Sequence, residues 1–321
     1  MKKFAKVALA SSFMVGVAFA ETKWDMPTPY GDKTFHTVNV HEFAADVKAA
    51  TNGELVINVH SAGSLIKHAE IKKSIRRGIV PIGEFFLSRL ANEDAVFGVD
   101  SVPFLATNYE DAEKLWAASK GKISEKLAAQ GLMMLYAVPW PSQGVYAKKE
   151  LNSVADMKGL KFRAYNAATE RLAQLAGMEP TQIEATDIST AFSTGRVDAM
   201  ITSPSTGANS KAWDFLSHFH HTQAWLPKNT VIVNQAAFDK LDEASQKAVL
   251  EMAAKAEKRG WDMSKAESAE KIGVMKENGI TIVTPSETLQ SELKAIGKTM
   301  TAEWLENAGA DGQAVLDAYN K

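Results

Sequence analysis

The chain has 321 residues, of which 45% are hydrophobic, and it carries a formal charge of -2 at pH 7. This length and composition predict a globular protein with one large or two ordinary domains, large enough to bury sizeable cores. The sequence contains no cysteine, which excludes disulfides, thiolate catalysis and cysteine-ligated zinc.

Residues 1–20 have the pattern of a secretory signal peptide. A basic start through Lys6 precedes the apolar run Val7–Val17, and Ala18-Phe19-Ala20 is a small-x-small cleavage site. The apolar run is shorter than the roughly 18 residues that a membrane anchor needs. We therefore predict a periplasmic protein that begins at Glu21. Loss of three lysines with this segment changes the formal charge from -2 to -5, which argues against binding nucleic acid.

Helical and strand patterns alternate along the first part of the predicted mature chain. The spacing of apolar residues predicts a helix over 37–51, a strand over 54–60, a helix over 66–77, a strand over 80–86, two helices within 109–129 that separate near Gly121, and a strand over 132–138. This alternation predicts an α/β fold with a mostly parallel sheet and helices on both faces.

A break at Pro139-Trp140-Pro141 precedes a second alternating region. The patterns predict strands over 161–165, 181–184, 197–202, 229–234 and 280–283, and helices over 167–176, before 194, over 242–276 and from 286. The helix over 242–276 is far longer than usual and would have to lie across two lobes.

Two lobes that are discontinuous in sequence follow from this order. Strands after 228 and after 279 need partners in different lobes. We predict that residues 21–142 with 228–268 form lobe I, and that residues 143–227 with 269–321 form lobe II.

Arg163 is the principal candidate for a binding residue. It lies in the segment 157–166, which has the pattern of a short strand between two helical segments. A guanidinium group can give a carboxylate two parallel hydrogen bonds from a rigid planar fork, so an arginine at a strand end beside a helix N-terminus is a good receptor for an acid. The alternative is a structural salt bridge to an Asp or Glu.

Aromatic residues supply the other candidates for a ligand pocket. Trp140 has a proline on each side, which keeps the backbone extended, so its indole can face the cleft or pack between the lobes. Tyr30, Phe35 and His36 follow a strand-like segment at a sheet edge of the kind that binds ligands in α/β folds. Phe86 and Trp213 are further candidates, whereas Glu84 would be unusual beside an anion and could instead accept a hydroxyl or ammonium group or remain solvated.

Enzyme and metal signatures are weak. The sequence lacks a phosphate loop, a nucleophile elbow and a zinc-protease motif. Alternate histidines in His218-Phe219-His220-His221 could bind a metal, but no acidic or cysteine ligand lies nearby in sequence, so a polar surface segment is the favoured explanation. We expect no catalytic residue, metal or cofactor. The alternative is an exported hydrolase or lyase with His36 or His68 as general base.

Four short motifs occur in an order that resembles a known family: Gly63-Ser64-Leu65 after a strand, Val102-Pro103-Phe104-Leu105, Leu160-Lys161-Phe162-Arg163, and Phe192-Ser193-Thr194-Gly195-Arg196-Val197-Asp198-Ala199. Together with the signal segment they are similar to the periplasmic solute-binding proteins of tripartite ATP-independent periplasmic (TRAP) transporters. The resemblance covers essentially the whole mature chain. It implies two α/β lobes, joined by hinge strands and a long helix, that close on one organic acid whose carboxylate pairs with Arg163.

The same resemblance implies partners and a mode of action. A monomer would deliver its acid to the small and large membrane subunits of a TRAP permease and would do no chemistry; a sensor kinase is the alternative partner. The family often has an asparagine near the ligand after the Val197-Asp198 motif. This chain instead reads Met200-Ile201-Thr202-Ser203, so Thr202 and Ser203 are the candidate polar contacts.

The balance of charge and aromatic residues predicts the class of acid. One well-placed arginine among aromatic candidates favours a monocarboxylate with an apolar or aromatic body, because a second buried carboxylate without a matching charge costs several kcal/mol. The alternative is a C4-dicarboxylate, which requires that a second cation enter the cleft from among Lys67, Arg76, Arg77, Arg89 and His36.

Overall fold

The computed structural model describes residues 21–321, so the predicted signal segment lies outside the described residues. The described chain forms eleven strands and nine α-helices. The strands are β1 (Thr22–Pro27), β2 (Leu55–His60), β3 (Ile82–Phe86), β4 (Leu132–Pro139), β5 (Gly144–Ala147), β6 (Lys161–Ala164), β7 (Glu179–Gln182), β8 (Ala199–Thr202), β9 (His218–His220), β10 (Lys228–Asn234) and β11 (Thr281–Val283). The helices are α1 (Phe35–Ala50), α2 (Ile71–Arg76), α3 (Tyr109–Ala128), α4 (Ala167–Leu175), α5 (Ile188–Ser193), α6 (Pro204–Asn209), α7 (Gln235–Phe238), α8 (Glu243–Glu277) and α9 (Glu287–Tyr319).

The strands form two groups, one in each lobe. In the first lobe, β1 pairs with β2 and lies beside β3, while β10 pairs with both β3 and β4. In the second lobe, a six-stranded sheet has the order β11-β9-β5-β8-β6-β7. β10 and β11 therefore fall in different lobes, as the discontinuous arrangement requires. The exact residue boundaries of the lobes remain a prediction.

The expectation of a mostly parallel sheet is wrong. β10 runs antiparallel to β3 and β4, and β5 runs antiparallel to β8 and β9. The reason is that β4 carries the chain out of the first lobe and β10 brings it back in the opposite direction. Right-handed βαβ crossovers determine strand direction only within a lobe, not for strands that cross between lobes.

The predicted break near Gly121 is also wrong, because α3 is one continuous helix of 20 residues. A glycine inside a helix costs only about 1 kcal/mol relative to alanine, and buried side chains can offset that cost. Trp116, Ile123 and Leu127 anchor α3 in the core on both sides of Gly121. The strand expected over 181–184 lies slightly earlier, as β7.

The long helix α8 spans both lobes, as expected. It contains 35 residues and begins after Asp242, whose side chain accepts a hydrogen bond from the backbone N–H of Ser245. It packs against α1 and β4 of the first lobe and against α6 and β11 of the second. Close packing requires a glycine at its centre, because a Cβ atom at Gly260 would lie 2.3 Å from Cγ2 of Val138. Nowhere in residues 21–321 is a helix both long enough and apolar enough to cross a membrane.

Candidate functional site between the lobes

A small cavity lies between the two lobes and opens in part to solvent. Elements of both lobes contribute to its wall. The lining residues are Tyr30, His68, Phe86, Arg89, Trp140, Gln143, Arg163, Tyr165, Glu184, Ala185, Thr202, Ser203, Thr206 and Pro227. The cavity thus combines an aromatic surface with a small set of charged and hydroxyl groups, which is the usual composition of a small-molecule site.

Arg163 takes its position from a parallel strand that lies inside the second sheet. It is the third residue of β6, and its register partners are Thr181 of β7 and Met200 of β8. The strand ends one residue later, and Asn166 then caps α4 by accepting a hydrogen bond from the N–H of Thr169. The structure therefore places Arg163 at the carboxyl end of a strand beside a helix N-terminus, as the sequence predicts.

The Arg163 side chain is buried without a carboxylate partner. Its Nε donates to the carbonyl oxygen of Ile183 at 2.9 Å, and its Cζ lies 5.0 Å from the centroid of the Tyr165 ring. Within residues 21–321, no Asp or Glu forms an ion pair with it, and neither Nη atom has a hydrogen-bond acceptor. Burial lowers the pKa of Arg163 to about 10, so the side chain remains charged at neutral pH. The salt-bridge alternative does not describe this residue.

Glu184 instead pairs with two residues of the first lobe. One carboxylate oxygen lies 2.9 Å from Nη1 of Arg89, and the other lies 3.2 Å from Nδ1 of His68. Burial raises the pKa of Glu184, but the hydrogen bond from His68 and the charges of Arg89 and Arg163 outweigh that effect and lower the pKa to about 2. The cavity wall therefore carries two guanidinium groups and one carboxylate, which leaves one positive charge.

His68 is engaged through both ring nitrogens. Its Nε2 accepts a hydrogen bond from the backbone N–H of Phe86 at 3.1 Å, so its proton is assigned to Nδ1, which faces Glu184. Burial lowers the pKa of His68, which favours the neutral ring. With both nitrogens occupied, His68 has no free atom to act as a general base.

Trp140 and Tyr30 form the aromatic side of the cavity and share one polar partner. The Trp140 Nε1–H donates to Oδ1 of Asn229 at 2.9 Å, and the Tyr30 hydroxyl donates to the same oxygen at 3.3 Å. The two rings meet edge to face with their centroids 5.0 Å apart. Asn229 on β10 therefore fixes both rings in one arrangement.

Three of the predicted site residues do not line the cavity. Phe35 and His36 pack behind Trp140, with ring centroids 5.5 and 4.3 Å from the indole. Trp213 packs against the core of the second lobe. Phe35 and His36 are the first residues of α1, and the burial of their helical face against Trp140 turns them away from the cavity.

Glu84 lies below the aromatic wall in a buried polar network rather than in the cavity. Its two oxygens accept hydrogen bonds from Asn229 Nδ2 and from the Thr28 hydroxyl, and His36 Nδ1 lies 3.5 Å from Oε1. Burial raises the pKa of Glu84 to about 7 and lowers the pKa of His36 well below its usual value. This network holds Asn229, and through it the two rings.

Hydroxyl groups line the cavity at the end of β8 and just after it. Ser203 caps α6, because its Oγ accepts a hydrogen bond from the N–H of Thr206. The Thr202 hydroxyl also lines the cavity and has no hydrogen-bond partner among the described residues. Thr202 is therefore available to a ligand, whereas Ser203 is largely committed to the helix cap.

The histidines of the sequence 218–221 do not assemble a metal site. His220 is buried on β9, where Nε2 accepts from the N–H of Leu151 at 2.8 Å and Nδ1 donates to the carbonyl of Val145 at 3.2 Å. In the part of the chain that the structure describes, no group of three His, Asp or Glu residues could hold a metal ion. His220 has a structural role in joining β9 to its neighbours.

Sequence reasoning missed several lining residues. Gln143, Tyr165 and Glu184 had no signal of their own, and Arg89 was only one of several cations that could enter the cleft. Tyr165 directly follows β6, and its hydroxyl donates to Oε1 of Gln143 at 3.1 Å. The only available indication was the proximity in sequence of Gln143 to Trp140 and of Tyr165 to Arg163.

The family model described as "Bacterial extracellular solute-binding protein, family 7" matches residues 29–307. The chain belongs to this family. Among solved structures, this family 7 protein is similar to an extracytoplasmic solute receptor of Bordetella pertussis described as binding pyroglutamic acid. The two are 43% identical, with 93% of this chain and 99% of that chain covered and a TM-score of 0.92. It is also 44% identical to a marine metagenome TRAP solute-binding protein described as specific for pyroglutamate, with 94% and 99% covered and a TM-score of 0.92.

A curated relative supports the same assignment. The family 7 protein is 23% identical over 289 residues to a solute-binding protein of Albidiferax ferrireducens, covering 87% of this chain and 85% of the relative. The matches confirm the predicted TRAP solute-binding family and the two-lobed α/β fold. They also place this chain in a family of extracytoplasmic receptors rather than among enzymes.

Proposed function

We propose that this protein captures a small cyclic monocarboxylate of the pyroglutamate type in the cavity between its lobes. The observation that carries the proposal is Arg163, a buried cation that lines the cavity and forms no ion pair with a carboxylate of residues 21–321. A buried charge without an oppositely charged partner is costly. A ligand carboxylate can be that partner and can form two parallel hydrogen bonds with the guanidinium group. Two relatives at 43% and 44% identity are described as binding pyroglutamate.

The rest of the wall suits a compact ring. Tyr30, Phe86 and Trp140 offer aromatic area, whereas Gln143 and Thr202 offer polar groups to an amide N–H or carbonyl. The net single positive charge of the wall matches one carboxylate and disfavours the C4-dicarboxylate alternative. Pyroglutamate is a lactam, so it is more polar than the apolar or aromatic acid that the sequence alone favours. The Thr202 hydroxyl and the Gln143 amide in the wall suit these additional polar groups.

We further propose that the mature protein acts in the periplasm as a monomer and delivers its acid to the small and large membrane subunits of a TRAP permease. Lobe movement would desolvate the acid in the closed state and release it in the open state. No catalytic step is part of the proposal, because both ring nitrogens of His68 are occupied and His36 is buried outside the cavity.

Titration calorimetry tests the ligand. The mature protein is unfolded and refolded to remove any co-purified acid and is then titrated with pyroglutamate, cyclopentanecarboxylate, proline and succinate. We expect pyroglutamate to bind one to one and more tightly than the other three. Equal or tighter binding of succinate would refute the monocarboxylate assignment, and binding of cyclopentanecarboxylate alone would refute the lactam.

A further inference from the structure

Glu184 is the only carboxylate among the described residues that line the cavity. It is not needed to hold Arg163, because Arg163 donates to the backbone of Ile183 instead. Its partners are Arg89 at 2.9 Å and His68 at 3.2 Å. Since His68 already accepts a hydrogen bond at Nε2, the only full positive charge that Glu184 contacts within 4 Å is that of Arg89.

This contact crosses the cleft. Along the chain, His68 precedes β3 of the first lobe and Arg89 follows it, whereas Glu184 follows β7 of the second lobe. Nη1 of Arg89 also donates to the carbonyl oxygen of Tyr165 at 3.4 Å. The Tyr165 ring lies against the Arg163 guanidinium, so both arginines are neighbours of one residue of the cavity wall.

The two arginines thus border one cavity but differ in the charge they can offer. No carboxylate of the described residues lies within ion-pair distance of Arg163, whereas Glu184 pairs directly with Arg89 at 2.9 Å. A second anionic group on a ligand that approached Arg89 would meet the carboxylate of Glu184 and would be repelled.

We propose that Glu184 is a specificity-determining residue: by neutralising Arg89 across the cleft, it restricts the cavity to acids with one carboxylate. This inference rests on the proposed function, since it concerns the acid that Arg163 binds. It assigns the exclusion of dicarboxylates to a single carboxylate and predicts that removal of this charge converts Arg89 into a second carboxylate receptor.

The experiment compares two acids of similar size by titration calorimetry: pyroglutamate, with one carboxylate, and glutarate, with two. The proteins are wild type, Glu184→Gln, Glu184→Asp and the double variant Glu184→Gln/Arg89→Gln. Glu303→Gln is the matched control, because Glu303 pairs with Arg171 at 2.6 Å on the surface, away from the cavity wall. Thermal unfolding verifies that each variant is folded.

We expect Glu184→Gln to shift the ratio of glutarate to pyroglutamate affinity by at least tenfold toward glutarate. Glu184→Asp, which keeps the charge, should retain the wild-type preference, and the added Arg89→Gln should abolish the gain. Glu303→Gln should leave the ratio unchanged.

A purely structural contact gives a different result. If Glu184→Gln weakens the binding of both acids equally, the ratio of glutarate to pyroglutamate affinity is unchanged. Glu184 then only joins the lobes, and the inference is wrong. Tight binding of glutarate by the wild type would also overturn it. If the wild type binds a monocarboxylate other than pyroglutamate, the proposed ligand fails, but the same ratio measured with that acid still decides the role of Glu184.

Discussion

Arg163 donates its Nε–H to the carbonyl oxygen of Ile183 at 2.9 Å, which fixes the plane of the guanidinium group and leaves both Nη atoms without an acceptor among the described residues. The acceptor is a backbone atom at the end of a neighbouring strand, so it does not neutralise the charge. This arrangement preorganises the side chain, and a ligand carboxylate can bind without a cost in side-chain entropy.

The first prediction concerns Arg163 itself. Removal of one partner of a buried charge pair costs roughly 2 to 5 kcal/mol, so Arg163→Ala should weaken binding on the order of 30-fold or more in titration calorimetry. Arg163→Lys should also bind much more weakly than wild type, because an ammonium group cannot form the planar two-bond fork. Arg171→Ala, on the exposed face of α4, is the control and should bind normally. Near-normal affinity of folded Arg163→Ala would exclude Arg163 as the carboxylate receptor.

The second prediction concerns the indole of Trp140. Trp140→Phe keeps an aromatic ring but loses the hydrogen bond to Asn229, and a hydrogen bond worth about 0.5 to 1.5 kcal/mol corresponds to a loss in affinity of about 2- to 10-fold. Trp116→Phe is the matched control, because it also loses an indole hydrogen bond, to Glu257 at 3.3 Å, but lies outside the cavity wall. Equal effects of the two substitutions would show that the Trp140 indole has no specific role in binding the ligand.

The third prediction follows from the pKa of Glu84. Burial raises this pKa to about 7 from an ordinary value of 4.5, so the folded protein holds a proton that the unfolded chain releases between these pH values. The stabilising contribution of Glu84 is therefore complete below about pH 4.5 and is lost as pH rises through about 7. The lost contribution amounts to about 3 kcal/mol.

Glu84→Gln tests the direction of this pH dependence, because glutamine resembles the protonated carboxyl group but does not titrate. The free energy of unfolding of the wild type, relative to the variant, should fall as pH rises from 5 to 8 in denaturant titrations. Because His36 lies 3.5 Å from Glu84 and its lowered pKa gives an opposite dependence, the same comparison in a His36→Gln background should give the same sign. A difference that grows with pH would show that Glu84 is stabilised in its ionised form.

The fourth prediction concerns lobe closure. The chain has no cysteine, so spin labels can be attached at introduced cysteines alone. Lys33→Cys and Ser189→Cys place labels at exposed positions on opposite sides of the groove beside Tyr30 and Thr206. Their distance, measured by pulsed electron paramagnetic resonance, should shorten when the acid is added. The pair Lys33→Cys and Lys48→Cys lies within one lobe and should not change; an unchanged distance in both pairs would contradict closure.

The fifth prediction is that export removes residues 1–20. The intact mass of the protein recovered from the periplasm should correspond to a chain that begins at Glu21. A mass that includes the first 20 residues would show that the Ala18-Phe19-Ala20 site is not used.

Features encoded within a few neighbouring residues could be predicted from the sequence, whereas pairings between distant residues could not. The segment around Arg163 could be predicted because the turn at Gly159, the strand and the helix cap at Asn166 follow one another within a few residues. The pairing of Glu184 with His68 joins residues 116 positions apart, so no local pattern encodes it. Trp213 was misplaced for the same reason, because an aromatic side chain can fill a core or a cavity, and only the packing of distant elements decides between them.

The continuity of α8 constrains how the cleft can open. A helix of 35 residues is about 52 Å long at 1.5 Å per residue, and it has no proline at which to bend. Because α6 of the second lobe packs on α8, with Ser205 donating to Glu267 at 2.7 Å, an opening movement has to slide α6 over the helix surface. An opening movement that changes this contact would break the hydrogen bond of Ser205 to Glu267, so this pair links the state of the cleft to the surface of α8.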